Sequence, residues 1–118
     1  NRRKIYPRNL GKAKKALEEA NFSCEVDNAH KTFISKAMNK QYMEAHHLIP
    51  LQFQEDFSYS LDIPANIVSV CPNCHRKLHF GFIEDKKEIL KKLFERKNNK
   101  LKEFGIIINE DELFEIYT

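Results

Sequence analysis

The positions of the cysteines and histidines constrain this chain more than any other feature. Its 118 residues include three cysteines and five histidines, and all eight lie between Cys24 and His79. An odd number of cysteines cannot form a closed set of disulfides, so a disulfide-stapled scaffold is disfavoured. Thiolates and imidazoles are preferred zinc ligands. The clustering therefore predicts metal chemistry in the middle of the chain, in a reducing compartment such as the cytoplasm.

Length and composition favour one folded domain over residues 1–118. The chain is 42% apolar and 31% charged, which is typical neither of disordered chains nor of membrane proteins. Apolar runs such as that over residues 106–108 are too short to span a bilayer, and no charged-then-apolar leader begins the sequence. We expect a cytoplasmic protein with no membrane partner. Because the first residue is Asn1, we expect a fragment of a longer protein with a separate targeting domain upstream.

Positive charge is concentrated at the N-terminus. Residues 1–23 carry seven basic and two acidic side chains, whereas residues 24–81 and 82–118 each have a net charge of −1. A basic arm suits a polyanion such as nucleic acid, although a solvated terminus would have the same composition. The candidate DNA-binding residues in this arm are Arg2, Arg3, Lys4, Arg8, Lys12 and Lys15.

Apolar periodicity predicts helices on both sides of the central segment. The spacing of apolar residues is helical from Leu10 to Asn21 and again from Ile83 to Phe104, with Gly105 as a stop. Asn109 precedes three acidic residues, which indicates a capped start for a short last helix. We expect these flanking helices to act as scaffold.

The central segment has a different pattern. A β-compatible run lies within residues 41–51, a second apolar strand is predicted over residues 67–70, and a short helix over residues 73–80 ends at Gly81. The expected order is strand, loop, strand, helix.

The sequence predicts a structural zinc site. Cys71 and Cys74 form a C-x-x-C knuckle, which is half of a tetrahedral zinc site, and Cys24 is the one cysteine left to join it. Asp27 and His30 are the alternatives for the fourth ligand, and we favour His30 because structural zinc sites prefer sulfur and imidazole. Otherwise Cys24 would be a small buried residue and His30 a surface histidine.

A second metal site is predicted from the remaining histidines. His75 and His79 are four residues apart and therefore share one helix face, which would face the strand that carries His46. Three imidazoles would leave coordination positions open on a divalent cation such as Mg²⁺, Mn²⁺ or Ni²⁺. His47 would then be available as a general base.

These residues resemble the signature of the HNH endonuclease family. The resemblance is carried by Ala45-His46-His47-Leu48-Ile49-Pro50 and by the run from Asn66 to His79, and the zinc knuckle is similar to that of McrA-type restriction nucleases. It implies an α+β fold built on a small ββα-metal core. It also implies that His47 is the base, that Asn66 braces the loop that orients this base, and that His46, His75 and His79 bind the cation. One departure is Asp27, which stands where many zinc-bearing members have a second cysteine.

The resemblance implies a metal-dependent DNA endonuclease from a restriction or defence system. Arg76 is a further candidate for phosphate contact, and a homodimer is compatible with this function. The competing hypotheses are a non-catalytic, zinc-stabilised nucleic-acid-binding module and a structural interaction domain. We expect the aromatic residues Phe53, Phe57, Tyr59 and Phe80 to pack in the core and loops rather than stack on bases.

Overall fold

The computed structural model describes residues 10–118 and has an α+β architecture. In chain order the elements are α1 (Leu10–Glu19), β1 (Glu44–His47), β2 (Ile67–Val70), α2 (Pro72–Phe80), α3 (Ile83–Glu103) and α4 (Glu110–Ile116). Two short 3-10 helices, Leu51–Asp56 and Pro64–Asn66, lie in the loop between the strands. The predicted fold class is therefore confirmed, with a ββα core between flanking helices. The arm residues Arg2, Arg3, Lys4 and Arg8 lie outside the described residues.

The two strands form an antiparallel sheet, and every residue of β2 is buried. Glu44 lies opposite Val70 and His47 lies opposite Ile67. The segment around Cys24 lies along the other edge of β2. The Glu25 N–H donates to the Ser69 carbonyl oxygen (2.8 Å), and the Ser69 N–H donates to Glu25 Oε1 (2.9 Å). The sheet therefore carries the first cysteine close to the knuckle that follows β2.

The local sequence defines both ends of α2. Pro72 occupies its first turn, where a missing N–H costs nothing, and the Cys71 Sγ accepts a hydrogen bond from the Cys74 N–H (3.5 Å). Leu78 is buried against the core, and the helix ends at Gly81. The two knuckle cysteines thus lie at the helix start, His75 follows on the first turn, and His79 lies on the last turn.

The C-terminal helices end and begin as predicted. Gly105 has a φ of +78°, and the N–H groups of Gly105 and Ile106 bond to Lys102 and Leu101, which is the hydrogen-bond pattern of a Schellman cap. Asn109 and Glu112 form a reciprocal capping box at the start of α4. This turn between α3 and α4 brings the end of the chain back to β1.

The core lies where the sheet, α2, α3 and α4 meet. Fully buried side chains include Leu48, Ile67, Val68, Leu90, Leu93, Leu101 and Leu113. Helix α1 is shorter than predicted, since Asn21 and Phe22 adopt positive φ values that end it at Glu19. Among residues 10–118 no helix has the length and apolarity that crossing a bilayer requires.

Candidate metal centres and active site

Cys24, His30, Cys71 and Cys74 form one cluster, whose ligand atoms all lie within 4.8 Å of one another. His30 Nδ1 lies 3.7 Å from the Cys71 Sγ and 3.5 Å from the Cys74 Sγ. Two such ligands on one tetrahedral zinc would be about 3.6 Å apart, given the usual zinc–sulfur and zinc–nitrogen distances. The donor set and its spacing therefore suit zinc.

The three thiols of this cluster are buried, and the pKa values of Cys24 and Cys74 are shifted. Burial would raise the pKa of Cys24, but hydrogen bonds from the Cys71, Asp27 and Val26 backbone and from His30 outweigh it and lower that pKa to about 7. The pKa of Cys74 is raised, first by burial and then by the neighbouring thiols. Three crowded thiols resist ionising together, and a bound cation would relieve this repulsion.

Asp27 does not occupy the place of a fourth ligand. Its Oδ1 accepts a hydrogen bond from the Ala29 N–H (2.9 Å), and its Oδ2 lies 3.8 Å from His30 Nε2, the ring nitrogen opposite the cluster. Of the two alternatives considered for the fourth ligand, the structure brings His30 to the cysteines. Asp27 shapes the turn and faces the far side of the imidazole.

His46, His75 and His79 form a second cluster, again with ligand atoms within 4.8 Å of one another. The Nε2 atoms of His75 and His79 are 3.1 Å apart. This distance agrees with the separation of about 3.0–3.4 Å expected for two nitrogens on one cation at usual metal–nitrogen distances. His46 is buried and His79 is exposed, so the cluster is open on one side. Three imidazoles with an open side suit a divalent cation that keeps positions for water or substrate.

Glu44 orients the first imidazole of α2. Its Oε1 accepts a hydrogen bond from His75 Nδ1 (2.7 Å), which leaves Nε2 as the nitrogen that His75 offers to the cluster. The Tyr42 hydroxyl donates to Glu44 Oε2 (2.6 Å). This hydroxyl, followed by His75, lowers the pKa of Glu44 against the effect of burial, so the carboxylate is held ionised.

Tyr117 contacts the buried histidine of the cluster. Its hydroxyl lies 2.8 Å from His46 Nε2 and donates to the carbonyl oxygen of Leu48 (2.5 Å). Burial raises the pKa of Tyr117, so the hydroxyl keeps its proton. Lys86, which is also buried, donates to the Tyr117 carbonyl oxygen (2.9 Å).

His47 follows His46 on β1 but has a different partner. Its Nε2 lies 2.9 Å from Asp62 Oδ1, and both side chains are largely shielded from solvent. Successive residues of a strand point to opposite faces, which gives the two adjacent imidazoles different surroundings. A carboxylate beside one ring nitrogen is the arrangement that holds a general base in one tautomer.

Asn66 is fully buried and ties both ends of the loop between the strands together. Its Oδ1 accepts from the Ile49 N–H (2.9 Å), and its Nδ2 donates to the carbonyl oxygens of Ile49 (2.9 Å) and Leu61 (2.8 Å). Leu61 is next to Asp62, so these bonds hold the segment that carries the partner of His47. The contacts are those expected of a bracing residue.

The candidate DNA-binding residues within the described part of the chain are spread over two surfaces. Arg76 is exposed and lines a cavity of about 550 Å³ beside His75 and His79. Lys15 lines a different cavity, of about 590 Å³, with Arg96 and Lys100 of α3. Lys12 is half-buried on α1.

Two aromatic residues are more exposed than we expected. Phe53 and Phe57 pack against the core, as predicted. Tyr59 is 60% exposed, although its ring lies against Gly105. Phe80 is 78% exposed at the end of α2, so the expectation that it is packed is wrong. Phe80 leaves the core because the same helix turn buries Leu78, and the residue two positions later points elsewhere.

Sequence reasoning missed Glu44, Asp62 and Tyr117. Glu44 had a usable signal, since it lies two residues before His46 and therefore on the same strand face. Tyr117 follows the last helix, which we expected to act as scaffold, and no spacing rule links it to His46. Asp62 lies in an irregular loop, where no periodicity indicates a partner.

Comparison with known proteins agrees with this geometry. The profile of the HNH endonuclease family matches residues 23–81. The chain is 33% identical over 91 residues to the type IV methyl-directed restriction enzyme EcoKMcrA of Escherichia coli (strain K12). That match covers 77% of this chain and 30% of the relative, so the chain corresponds to less than a third of its length.

Proposed function

Because this chain belongs to the HNH endonuclease family, we propose that it is the metal-dependent, DNA-cleaving domain of a restriction or defence protein. The observation that carries this proposal is the open cluster formed by His46 of β1 with the two imidazoles of α2, next to a paired histidine. That histidine is His47, the following residue of the same strand, which contacts Asp62. The similarity to a restriction enzyme supports the defence role.

We assign the two clusters different roles. The buried cluster of three cysteines and one histidine would hold zinc and keep residues 24–30 against the start of α2. His46, His75 and His79 would hold Mg²⁺, Mn²⁺ or Ni²⁺, and a cation bound there would supply positive charge beside a DNA phosphate. Only the second cluster is open enough to admit a substrate oxygen.

His47 would act as the general base. With one ring nitrogen on Asp62, the other can accept a proton from a water molecule aligned for attack on the phosphorus. Asn66 would position this pair indirectly, by holding the loop at Ile49 and Leu61. It is therefore a positioning residue in this proposal.

Positive side chains would place the DNA backbone along the open side of the imidazole cluster. Arg76 lines the cavity shared by His75 and His79 and is the nearest candidate for a phosphate contact. Lys12, Lys15 and the basic arm at residues 2–8 would add contacts without sequence specificity, because phosphates carry no base information.

Residues 1–118 would form one nuclease unit within a longer, cytoplasmic protein. The relative extends well beyond the matched segment, which is consistent with a separate targeting domain. A homodimer would let two sites cut opposite strands, and sedimentation velocity with and without DNA tests this assembly.

The proposed activity is tested by plasmid nicking with Mg²⁺, Mn²⁺ or Ni²⁺. We expect the wild-type protein to nick DNA and His47→Ala to be slower by about 10²- to 10⁴-fold, the usual contribution of a general base. DNA affinity and the content of both metals should be unchanged in this variant, because His47 lies outside both clusters.

Two results would contradict parts of the proposal. A wild-type protein that binds DNA but is inert with every cation would favour the non-catalytic nucleic-acid-binding module. If His47→Ala nicked DNA as fast as the wild type, the base assignment would be wrong even though the nuclease activity stood.

A further inference from the structure

We propose that Tyr117 is a positioning residue for the cation site, and that α4 is therefore part of the functional unit. The matched family segment ends at residue 81, whereas Tyr117 lies at the far end of the chain. The proposal rests on the proposed function only in treating the three imidazoles as a cation site.

The hydrogen bonds of the Tyr117 hydroxyl decide the tautomer of His46. The Leu48 carbonyl oxygen can only accept, so at 2.5 Å it receives the single hydroxyl proton of Tyr117. The Tyr117 oxygen must then accept a proton from His46 Nε2, which is 2.8 Å away. His46 is thereby held in the Nε2–H form, and Nδ1 carries the lone pair that a cation needs.

Tyr117 is itself held from three directions. Its ring is buried in the core, Lys86 donates to its carbonyl oxygen (2.9 Å), and the capped helix α4 precedes it. The Lys86 ammonium also lies 5.8 Å from the Tyr117 ring centre. A buried ammonium is costly unless it is paired, so this contact specifies one position for the end of the chain.

His75 is likewise oriented by a hydrogen bond, which it donates to Glu44 of β1. His75 therefore receives its outer partner from the ββα core, whereas His46 receives its partner from outside that core. A ββα segment cut at residue 81 would keep all three imidazoles and lose the group that orients the buried one.

The first test is the tautomer of His46 in the zinc-loaded protein after the weakly held cation has been removed. Nitrogen-15 NMR of the imidazole rings at pH 8 should give the Nε2–H pattern for His46. In Tyr117→Phe, which keeps the ring and removes the hydroxyl, we expect a mixture of tautomers. An Nδ1–H form of His46 in the wild type would overturn the proposal without any variant.

The second test is calorimetric binding of Mn²⁺. Loss of an outer-shell hydrogen bond typically weakens metal affinity by about 10- to 100-fold, and we expect a loss of this size in Tyr117→Phe. Zinc content should be unchanged, because the Tyr117 hydroxyl bonds to His46 and to the backbone of β1 and Leu48, away from the thiols. The matched control is Thr118→Val, which removes a neighbouring exposed hydroxyl that donates to the Phe114 carbonyl oxygen.

The outcomes separate this proposal from the proposed function. Wild-type Mn²⁺ affinity together with an unchanged His46 tautomer in Tyr117→Phe would reduce Tyr117 to a packing residue. A wild-type protein that binds no cation at the imidazoles would contradict the proposed function, while the tautomer measurement would still decide the role of Tyr117. If Tyr117→Phe does not fold, the wild-type tautomer decides the question.

Discussion

At the scale of single residues, the adjacent pair His46 and His47 shows how one strand gives two identical side chains different partners. His46 is buried beside the imidazoles of α2 and bonds to Tyr117, whereas His47 bonds to Asp62 in the loop. Their chemistry is the same in isolation. The different partners follow from the two-residue period of a strand.

The Asp62–His47 contact predicts a catalytic effect without an effect on metal binding. Asp62→Ala should slow DNA nicking by roughly 10- to 100-fold, because His47 loses the group that fixes its tautomer. This loss is smaller than that expected from removing the base itself. Mn²⁺ affinity should stay at the wild-type value. The control is Asp56→Ala, an exposed carboxylate in the same loop. Equal nicking rates for the two variants would exclude a positioning role for Asp62.

The Glu44–His75 contact predicts an effect on metal binding itself. Glu44→Gln replaces a charged acceptor by an amide, so we expect Mn²⁺ to bind about 10- to 100-fold more weakly in calorimetry. Glu95→Gln, on the exposed side of α3, serves as the comparison. Unchanged Mn²⁺ affinity in Glu44→Gln would mean that the 2.7 Å contact does not support the site.

At the scale of elements, α2 connects the two candidate metal sites. The helix has nine residues, with Cys71 and Cys74 at its start, His75 on its first turn and His79 on its last turn. Placing the helix start against the cysteine cluster therefore also places both imidazoles opposite β1. The short loop at Gly81 then passes directly to α3.

The capping box of α4 predicts a measurable loss of stability. Asn109→Ala removes the acceptor for the Glu112 N–H, which typically costs about 1 kcal/mol. For a domain of this size we expect a fall of about 3–6 °C in Tm, measured by circular dichroism. The control is Glu115→Ala, an exposed residue at the other end of α4. A Tm equal to that of the control would show that the box contributes nothing.

At the scale of the whole molecule, the cysteine cluster joins segments that are distant in sequence. Residues 24–30 meet the start of α2 there, and Glu25 also lies near Arg96 and Lys97 of α3. Zinc binding in small metallodomains is worth about 10–16 kcal/mol, which exceeds or matches the stability of most domains. The fold should therefore depend on this site.

Removing one ligand from each cluster should have different consequences. We expect Cys71→Ser to lose zinc and cooperative unfolding, whereas His75→Ala should keep zinc and lose only Mn²⁺ binding. Metal content by mass spectrometry and thermal unfolding by circular dichroism measure both. Dialysis of the wild type against a weak chelator should likewise remove the second cation and leave zinc bound. A zinc-free Cys71→Ser protein with a native Tm would contradict the structural role of the cysteine cluster.

Most of the secondary structure could be predicted because its signals are local. The strand at Ile67–Val70 and the cap at Asn109 were predicted correctly, and the helix from Ile83 stops at Gly105 as expected. Each depends on residues within a few positions of one another. The end of α1 was less predictable. Asparagine is known at the left-handed position that ends a helix, so Asn21 carried a signal, but the positive φ of Phe22 has none in the sequence.

The sequence alone determined which residues are available for metal chemistry and how they are grouped. Helix and strand geometry alone makes three patterns readable: the C-x-x-C knuckle, the four-residue spacing of His75 and His79, and the pair at residues 46–47. The tertiary structure decided that His30, rather than Asp27, lies beside the cysteines, and it supplied Glu44, Asp62 and Tyr117 as partners of the histidines. Periodicity describes neighbours along one element, whereas a hydrogen bond between His46 and Tyr117 exists only after packing has brought residues 71 positions apart within 2.8 Å.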